Sequence, residues 1–227
     1  MANERVSEVD SKTVRIRTTL VWIIMYLILC GIIPTILDMM IWRKLNEGIA
    51  AWLNLLTLIV FNSIFLFTLV KRYQLEIGLF NNISLEGILW AFGCGLLFYL
   101  LLDQFLDPFF DRIFVASADE YQRMLALLRQ FPFVTFIRVC LLVPVVEEIL
   151  IRGCILKSLQ SKYGVVFALL FSSVLFAVLH FNFVQTLSAL ICGLILGLLY
   201  IKTDSLFSCI LAHSLYNTIS FFTSILV

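Results

Sequence analysis

Long apolar runs alternate with short polar segments along most of the chain. A helix needs about 20 apolar residues to cross the hydrocarbon core of a bilayer. Seven runs reach or approach this length, so the pattern predicts an all-α bundle of about seven transmembrane helices. The predicted spans are Leu20 to Leu37, Ile49 to Val70, Leu85 to Leu106, Phe133 to Leu156, Val165 to Leu179, Val184 to Ile201 and Leu206 to Leu226.

The polar segments set the predicted domain organisation. Residues 1–17 are polar and carry charges of both signs, which favours a cytoplasmic tail over a signal peptide. Residues 18–227 are expected to form a single transmembrane domain. Its last four spans, at about 133–227, have very short connections and must pack as antiparallel neighbours.

The segment from Asp107 to Pro132 is too polar to span. Pro108 is suited to start a helix, because the missing N–H of proline is no loss there. The sequence leaves two alternatives open: an interfacial helix before the fourth span, or a helical loop outside the membrane. If the segment has a functional role, we expect it to border the entrance to a site.

Composition agrees with a membrane protein. Hydrophobic residues make up 62% of the 227 residues and charged residues 14%, against about a quarter charged in soluble domains. The lipid bilayer is therefore an expected partner, whereas the net charge of +1 gives no support for nucleic acid binding. The six cysteines contain no CxxC pair and are expected to be small buried apolar residues.

Basic residues predict the orientation. With the N-terminus inside the cell, nine Lys and Arg residues fall in cytoplasmic segments and five on the opposite side. The positive-inside rule then favours a cytoplasmic N-terminus.

The fourth span carries charged residues that lipid would not tolerate: Arg138, Glu147, Glu148 and Arg152. Glu148 and Arg152 are spaced i and i+4, so they share a helix face and can neutralise each other. Glu147 lies about 100° around the helix from Glu148, which leaves it free for chemistry. The alternative is that both glutamates only hold helices together.

The two histidines of the chain also lie in predicted apolar spans. Phe176 and His180 are spaced i and i+4, so the phenyl ring can cover one side of the imidazole. His213 and Asn217 have the same spacing, and together they offer the hydrogen-bond donors of an oxyanion hole. A single intramembrane histidine is often only a packing residue, but two beside a carboxylate pair indicate a site around one cavity.

Two chemistries fit these residues. In one, Glu147 and His180 activate a water molecule for attack on an amide carbonyl. In the other, Glu147, His180 and His213 bind zinc, although the usual HExxH signature is absent from the sequence. A serine or cysteine nucleophile is disfavoured because no base is paired with one.

Three motifs occur in order in the last four spans: EExxxR from Glu147 to Arg152, FxxxH from Phe176 to His180, and HxxxN from His213 to Asn217. Together they resemble the CAAX protease and bacteriocin-processing family of intramembrane endopeptidases, also called the Abi family. The resemblance covers Phe133 to Val227.

The resemblance implies roles for seven residues. Glu147 and His180 would activate the water, His213 and Asn217 would stabilise the oxyanion, and Glu148, Arg152 and Phe176 would support the site. No metal cofactor is expected, with zinc as the alternative. The implied substrate is a membrane-associated protein or peptide: family members trim prenylated CAAX proteins or act in bacteriocin maturation and immunity. The compact chain looks like a bacterial multi-pass protein of the plasma membrane.

Two other functions compete with a peptidase. A non-catalytic membrane protein could confer bacteriocin immunity or regulate a membrane partner, but every catalytic position of the motifs is filled. A transporter could also use intramembrane Glu and His residues. Transporters are expected to show repeats or broken helices, which the sequence does not clearly contain.

Overall fold

Every regular element that the computed structural model describes, between residues 14 and 225, is a helix. The all-α prediction is therefore confirmed for this range, whereas residues 1–13 of the predicted tail lie outside it. We number the helices α1 (Ile16–Lys44), α2 (Glu47–Tyr73), α3 (Leu85–Ile113), α4 (Val115–Leu128), α5 (132–163), α6 (Val165–Val178), α7 (Phe183–Thr203) and α8 (206–225).

Four of the described helices are long and apolar enough to cross a membrane: α1, α2, α3 and α7. The predicted count of seven spans is not confirmed. Helix α6 has only 14 residues, and α5 contains the four charged residues that the sequence analysis singled out. These two helices belong to the part of the bundle that carries the polar site.

Polar side chains define where several helices begin. Asn46, Ser84, Asn182 and Ser205 each accept a hydrogen bond from a backbone N–H in the first turn of α2, α3, α7 and α8 respectively. Such caps satisfy amide groups that have no partner inside the helix. The short polar breaks between apolar runs therefore set the helix boundaries.

Three prolines follow widened helical turns. Pro34, Pro108 and Pro144 each come just after a π-helical segment, in α1, α3 and α5. In α5 the N–H of Val143 donates to the carbonyl of Arg138, five residues back. Proline has no N–H and its ring displaces the preceding turn, which explains the distortion.

Pro108 corrects one prediction. It does not start a separate helix, because α3 continues through it from Leu85 to Ile113. The separate helix before α5 is α4 instead, and it begins at Val115.

Close helix contacts hold the site region together. Helix α6 packs along α7, and α3 packs along α8. A Cβ atom at Gly193 of α7 would lie 3.2 Å from the Cα atom of Ser173 in α6. A Cβ atom at Gly95 of α3 would lie 3.3 Å from the carbonyl oxygen of Ala212 in α8. These two glycines allow the backbones to approach closely, as small residues do in membrane bundles.

The interior and the outer surface are both apolar. Phe98, Leu150 and Leu196 are fully buried, while Leu85, Phe105 and Val166 are among many large apolar side chains that remain exposed. An apolar exterior of this extent fits lipid as the surrounding solvent. All six cysteines are buried and none is in a disulfide, as expected from the sequence.

Candidate active site

A cavity of about 540 Å³ lies among α3, α4, α5, α7 and α8. Its lining includes Glu147, His180, His213 and Asn217, the four residues that the motifs assign to catalysis. Residues far apart in sequence therefore converge on one space. The cavity also contacts Phe176, one of the three residues assigned a supporting role.

Glu148 and Arg152 form the buried ion pair that their spacing predicts. Nη1 of Arg152 donates to Oε1 of Glu148 over 2.7 Å, and both side chains are almost completely inaccessible. Nη2 of Arg152 donates to the carbonyl oxygen of Gly193 over 3.0 Å. A buried charge needs such partners, because the desolvation of an unpaired ion is very costly.

The structure gives Glu148 a second contact that spacing alone did not predict. Its Oε1 atom lies 3.0 Å from Nδ1 of His213, across the interface between α5 and α8. Because a carboxylate that is paired with an arginine can only accept hydrogen bonds, the proton between the two groups lies on Nδ1. Nε2, on the opposite side of the His213 ring, is then available for another contact.

Glu147 differs from Glu148 because it has no ion pair with any described arginine. Its side chain is only 10% exposed, its Oε2 atom has no hydrogen-bond partner among the described residues, and Nε2 of His213 lies 4.0 Å from that atom. A buried carboxylate oxygen without a donor is unusual and calls for a functional explanation. Oε2 of Glu148 is also buried without a partner among the described residues, but only Glu147 lines the cavity, so Glu147 is the glutamate available to a ligand there.

His180 lies just outside a helix, which corrects its predicted place inside an apolar span. Helix α6 ends at Val178, and His180 lies in the turn before α7. Nδ1 of its ring is 3.2 Å from the carbonyl oxygen of Phe176, one of the terminal carbonyls of α6. A carbonyl oxygen only accepts, so Nδ1 carries the proton, and in the neutral ring Nε2 is a proton acceptor.

Phe176 contacts three other members of the site. Its ring centroid is 5.3 Å from that of His180 and 5.8 Å from that of His213, both in edge-to-face geometry. The guanidinium carbon of Arg152 lies 4.7 Å from the same centroid. The phenyl ring therefore separates the ion pair from the cavity and fixes both imidazoles, a larger role than the predicted contact with His180.

Asn217 has a structural contact as well as a place in the cavity. Its Nδ2 atom donates to the carbonyl oxygen of Val139 over 2.9 Å. In the widened turn of α5 this carbonyl would pair with the residue five positions later, which is Pro144 and has no N–H. One N–H of the amide therefore replaces the missing backbone donor, and the other is left for a ligand.

Helix α4 is tied to the turn that carries His180. The hydroxyl of Ser117 donates to Oδ1 of Asn182 over 2.8 Å, and Nδ2 of Asn182 donates to the carbonyl oxygen of Ser117 over 2.7 Å. Further along α4, Tyr121 and Met124 line the cavity. The segment before α5 therefore borders the site, as its functional interpretation expected.

A row of carboxylates on α3 was not predicted from the sequence. Asp103, Asp107 and Asp111 are spaced four residues apart, which places them on one helix face. The hydroxyl of Tyr216 donates to Oδ1 of Asp103 over 2.7 Å, and Asp107 lines the cavity, where it accepts a hydrogen bond from Ser188. The regular spacing was a signal that could have been found.

Tyr121 of α4 faces these acids. Burial, together with the charges of the three aspartates, raises the pKa of Tyr121 to about 12. Its hydroxyl therefore remains a neutral hydrogen-bond donor at physiological pH. This side of the cavity therefore combines acidic side chains with the uncharged hydroxyl donor of Tyr121.

The zinc alternative needs Glu147, His180 and His213 to converge on one point. Among the described residues, no group of three or more His, Cys, Asp or Glu side chains is arranged to hold a metal ion. Catalytic zinc sites use three such ligands and an open position. Zinc binding stays an untested alternative to direct acid–base catalysis.

Comparison with known proteins supports a family assignment. Residues 129–219 match the family model described as Type II CAAX prenyl endopeptidase Rce1-like. The matched segment contains all three motifs and every residue of the site that they name. No curated protein and no solved structure matches the chain. Over residues 129–219 the chain therefore matches the Rce1-like family of CAAX proteases, in agreement with the family that its motifs resemble.

Proposed function

We propose that the protein is an intramembrane endopeptidase that hydrolyses a peptide bond in a membrane-associated protein or peptide. The observation that carries this proposal is the single cavity lined by Glu147, His180, His213 and Asn217. The family match over the same region is consistent with it.

The first step is attack by water. A water molecule held between Oε2 of Glu147 and Nε2 of His180 loses a proton to one of these bases as its oxygen bonds to the carbonyl carbon. Oε2 has no hydrogen-bond partner among the described residues, and Nε2 is the unprotonated nitrogen of the neutral ring. Positioned bases of this kind contribute about 10²- to 10⁴-fold in rate.

The second step is collapse of the tetrahedral intermediate. Its negative oxygen accepts hydrogen bonds from the second N–H of Asn217 and from Nε2 of His213. For this, His213 must carry protons on both ring nitrogens, since Nδ1–H is already donated to Glu148. The C–N bond then breaks, and the proton taken from water passes to the leaving amine.

A membrane-associated substrate is supported by the apolar helices of the bundle. Two of the helices that are apolar and long enough to span, α3 and α7, line the polar site. The description of the family names prenylated CAAX substrates, so a lipidated peptide is the substrate class that we propose first.

The test follows cleavage of a farnesylated peptide pool by mass spectrometry, with the purified protein in lipid nanodiscs. We expect Glu147→Gln and His180→Ala to lower the rate at least about 100-fold. Glu147→Gln should change the unfolding temperature little, because Oε2 of Glu147 accepts no hydrogen bond from the described residues. Glu86→Gln, an exposed glutamate of α3, is the matched control. Folded Glu147 and His180 variants with wild-type rates would exclude this mechanism.

A further inference from the structure

Arg138 has a distinctive position in α5. It lines the cavity of the candidate active site and also a second cavity of about 550 Å³ between α1, α2, α4 and α5. Met124 and Leu128 of α4 also line both cavities, so the two spaces adjoin at these residues. The guanidinium is therefore placed at the junction between them.

No hydrogen bond or ion pair holds Arg138 to another described residue. Asp38 acts on it electrostatically, but Oδ2 of Asp38 accepts a hydrogen bond from Arg43 over 2.9 Å. Arg152 provides the contrast, since its guanidinium has both a carboxylate and a carbonyl partner. Arg138 is exposed and its guanidinium donors have no partner among the described residues, so they are available to a ligand in either cavity.

The widened turn of α5 explains how Arg138 reaches the same cavity as Glu147. The two residues are nine positions apart, which in a regular α-helix turns them roughly 180° away from each other. The π-helical segment Ile137–Leu142, which contains Arg138 and ends before Glu147, has about one extra residue per turn. This changes the phase of the helix, and both side chains line one cavity.

The lining of the candidate active-site cavity has more acidic residues than Lys or Arg residues. Among the described residues that line it, Asp107, Glu120 and Glu147 are acidic, whereas Arg138 is the one Lys or Arg. An anionic group of a peptide that enters the cavity would be repelled by the acids and attracted to Arg138. A guanidinium binds a carboxylate through two parallel hydrogen bonds, which suits it to this group.

We propose that Arg138 binds the C-terminal carboxylate of the peptide substrate, an inference that rests on the proposed peptidase function. The nine residues from Arg138 to Glu147 correspond to a rise of about 13 Å along the helix. An extended peptide covers this distance with about four residues. The bound carboxylate thus sets the scissile bond a few residues from the end of the substrate, and the fragment beyond that bond extends toward the second cavity.

The experiment compares two pools of farnesylated peptides, with randomised residues after the modified cysteine. One pool has free C-terminal acids and the other C-terminal amides, and both omit Asp and Glu so that side-chain carboxylates are absent. Binding is measured with the Glu147→Gln protein in phosphatidylcholine nanodiscs, so that no substrate is consumed. Cleavage by the wild-type protein is measured separately.

We expect the acid pool to bind at least about tenfold more tightly than the amide pool, as a charge-assisted hydrogen bond would give. When Arg138→Gln is combined with Glu147→Gln, the preference for the acid pool should be abolished. Arg138→Lys in the same background should keep part of it. Arg123→Gln, an exposed arginine of α4, should keep all of it. Unfolding temperatures establish that each variant is folded.

Equal binding of the two pools, binding of neither pool, or a preference that persists in Arg138→Gln would each overturn the proposal. Loss of the preference when phosphatidylglycerol is added would assign Arg138 to a lipid headgroup and would also overturn it. A preference for acids without any cleavage by the wild-type protein would support the carboxylate site and contradict the peptidase function. Failure of the carboxylate site can therefore be distinguished from failure of the proposed peptidase function.

Discussion

Oε1 of Glu148 lies 3.0 Å from Nδ1 of His213, while the same oxygen accepts a hydrogen bond from Arg152 over 2.7 Å. One carboxylate oxygen thus links a buried structural ion pair to an imidazole of the candidate oxyanion hole. Removal of Glu148 therefore has two separable effects, one on folding and one on chemistry.

We predict that Glu148→Gln destabilises the protein by about 3–5 kcal/mol, because it leaves the guanidinium of Arg152 buried without a counterion. Peptide cleavage should fall as well, because His213 loses the acceptor that fixes its ring. Thermal unfolding in nanodiscs and the cleavage rate of the folded fraction measure the two effects.

The double variant Glu148→Gln/Arg152→Gln separates them. It removes both buried charges, so part of the stability should return, but the contact with His213 is still weakened and cleavage should remain low. Recovery of full activity along with stability would show that Glu148 acts on folding alone.

Asn217 should also show a combined effect. Asn217→Ala removes the donor to the carbonyl of Val139, which has no backbone partner in α5, at a cost of about 1–3 kcal/mol. It also removes one proposed oxyanion donor, so kcat should fall about 10²- to 10³-fold with little change in KM. Steady-state kinetics on folded protein measure both constants.

Thr218→Ala is the matched control for Asn217. The Thr218 hydroxyl donates to the carbonyl of Ser214 within the same helix, over 2.7 Å, and also interacts with the Cys140 thiol, but it does not line the cavity. We expect wild-type kcat from this variant. A similar loss of kcat in both variants would mean that any truncation in this turn of α8 impairs the enzyme.

Gly193 should be sensitive to the smallest enlargement. A Cβ atom there would lie 3.2 Å from both Phe176 and the backbone of Ser173, and the carbonyl of Gly193 accepts a hydrogen bond from Arg152. Gly193→Ala should therefore separate α6 from α7, and we expect a destabilisation of about 1–3 kcal/mol and lower activity. Gly93→Ala in α3 has open space around the added methyl group and should be neutral in both assays.

Chelators should leave activity unchanged. Since no three potential ligands among the described residues are arranged around one point, EDTA and 1,10-phenanthroline are expected to leave the cleavage rate within about twofold of the untreated protein. Loss of activity that added zinc restores would instead favour the metal alternative of Glu147, His180 and His213.

The sequence predicted those parts of the site that depend on spacing within one helix. The pairing of Glu148 with Arg152 follows from i, i+4 geometry and the cost of buried charge, and the structure contains it. The hydrogen bond from Asn217 to Val139 joins different helices, and it also depends on a distortion at Pro144 that apolar periodicity does not reveal.

The remaining differences arise at helix ends and in segments that carry no motif. His180 lies beyond the end of α6, and an apolar run does not define the residue at which a helix stops. The aspartates of α3, such as Asp103 and Asp107, lie at the junction between an apolar span and a segment that was interpreted as separate. Continuation of the helix through Pro108 put them on one face beside the cavity.

The unequal contacts of the polar residues have a consequence for evolution. Oε2 of Glu147 accepts no hydrogen bond from the described residues and lies 4.0 Å from Nε2 of His213, so a descendant that abandons hydrolysis can lose this residue at a small folding cost. Arg152 and Asn217 satisfy buried groups on other helices, and selection for folding alone would retain them. We therefore expect inactive relatives with this fold to have diverged at position 147 while they keep the residues at 148, 152 and 217. A sequence that retains the three motifs except for the first glutamate would mark a pseudoenzyme.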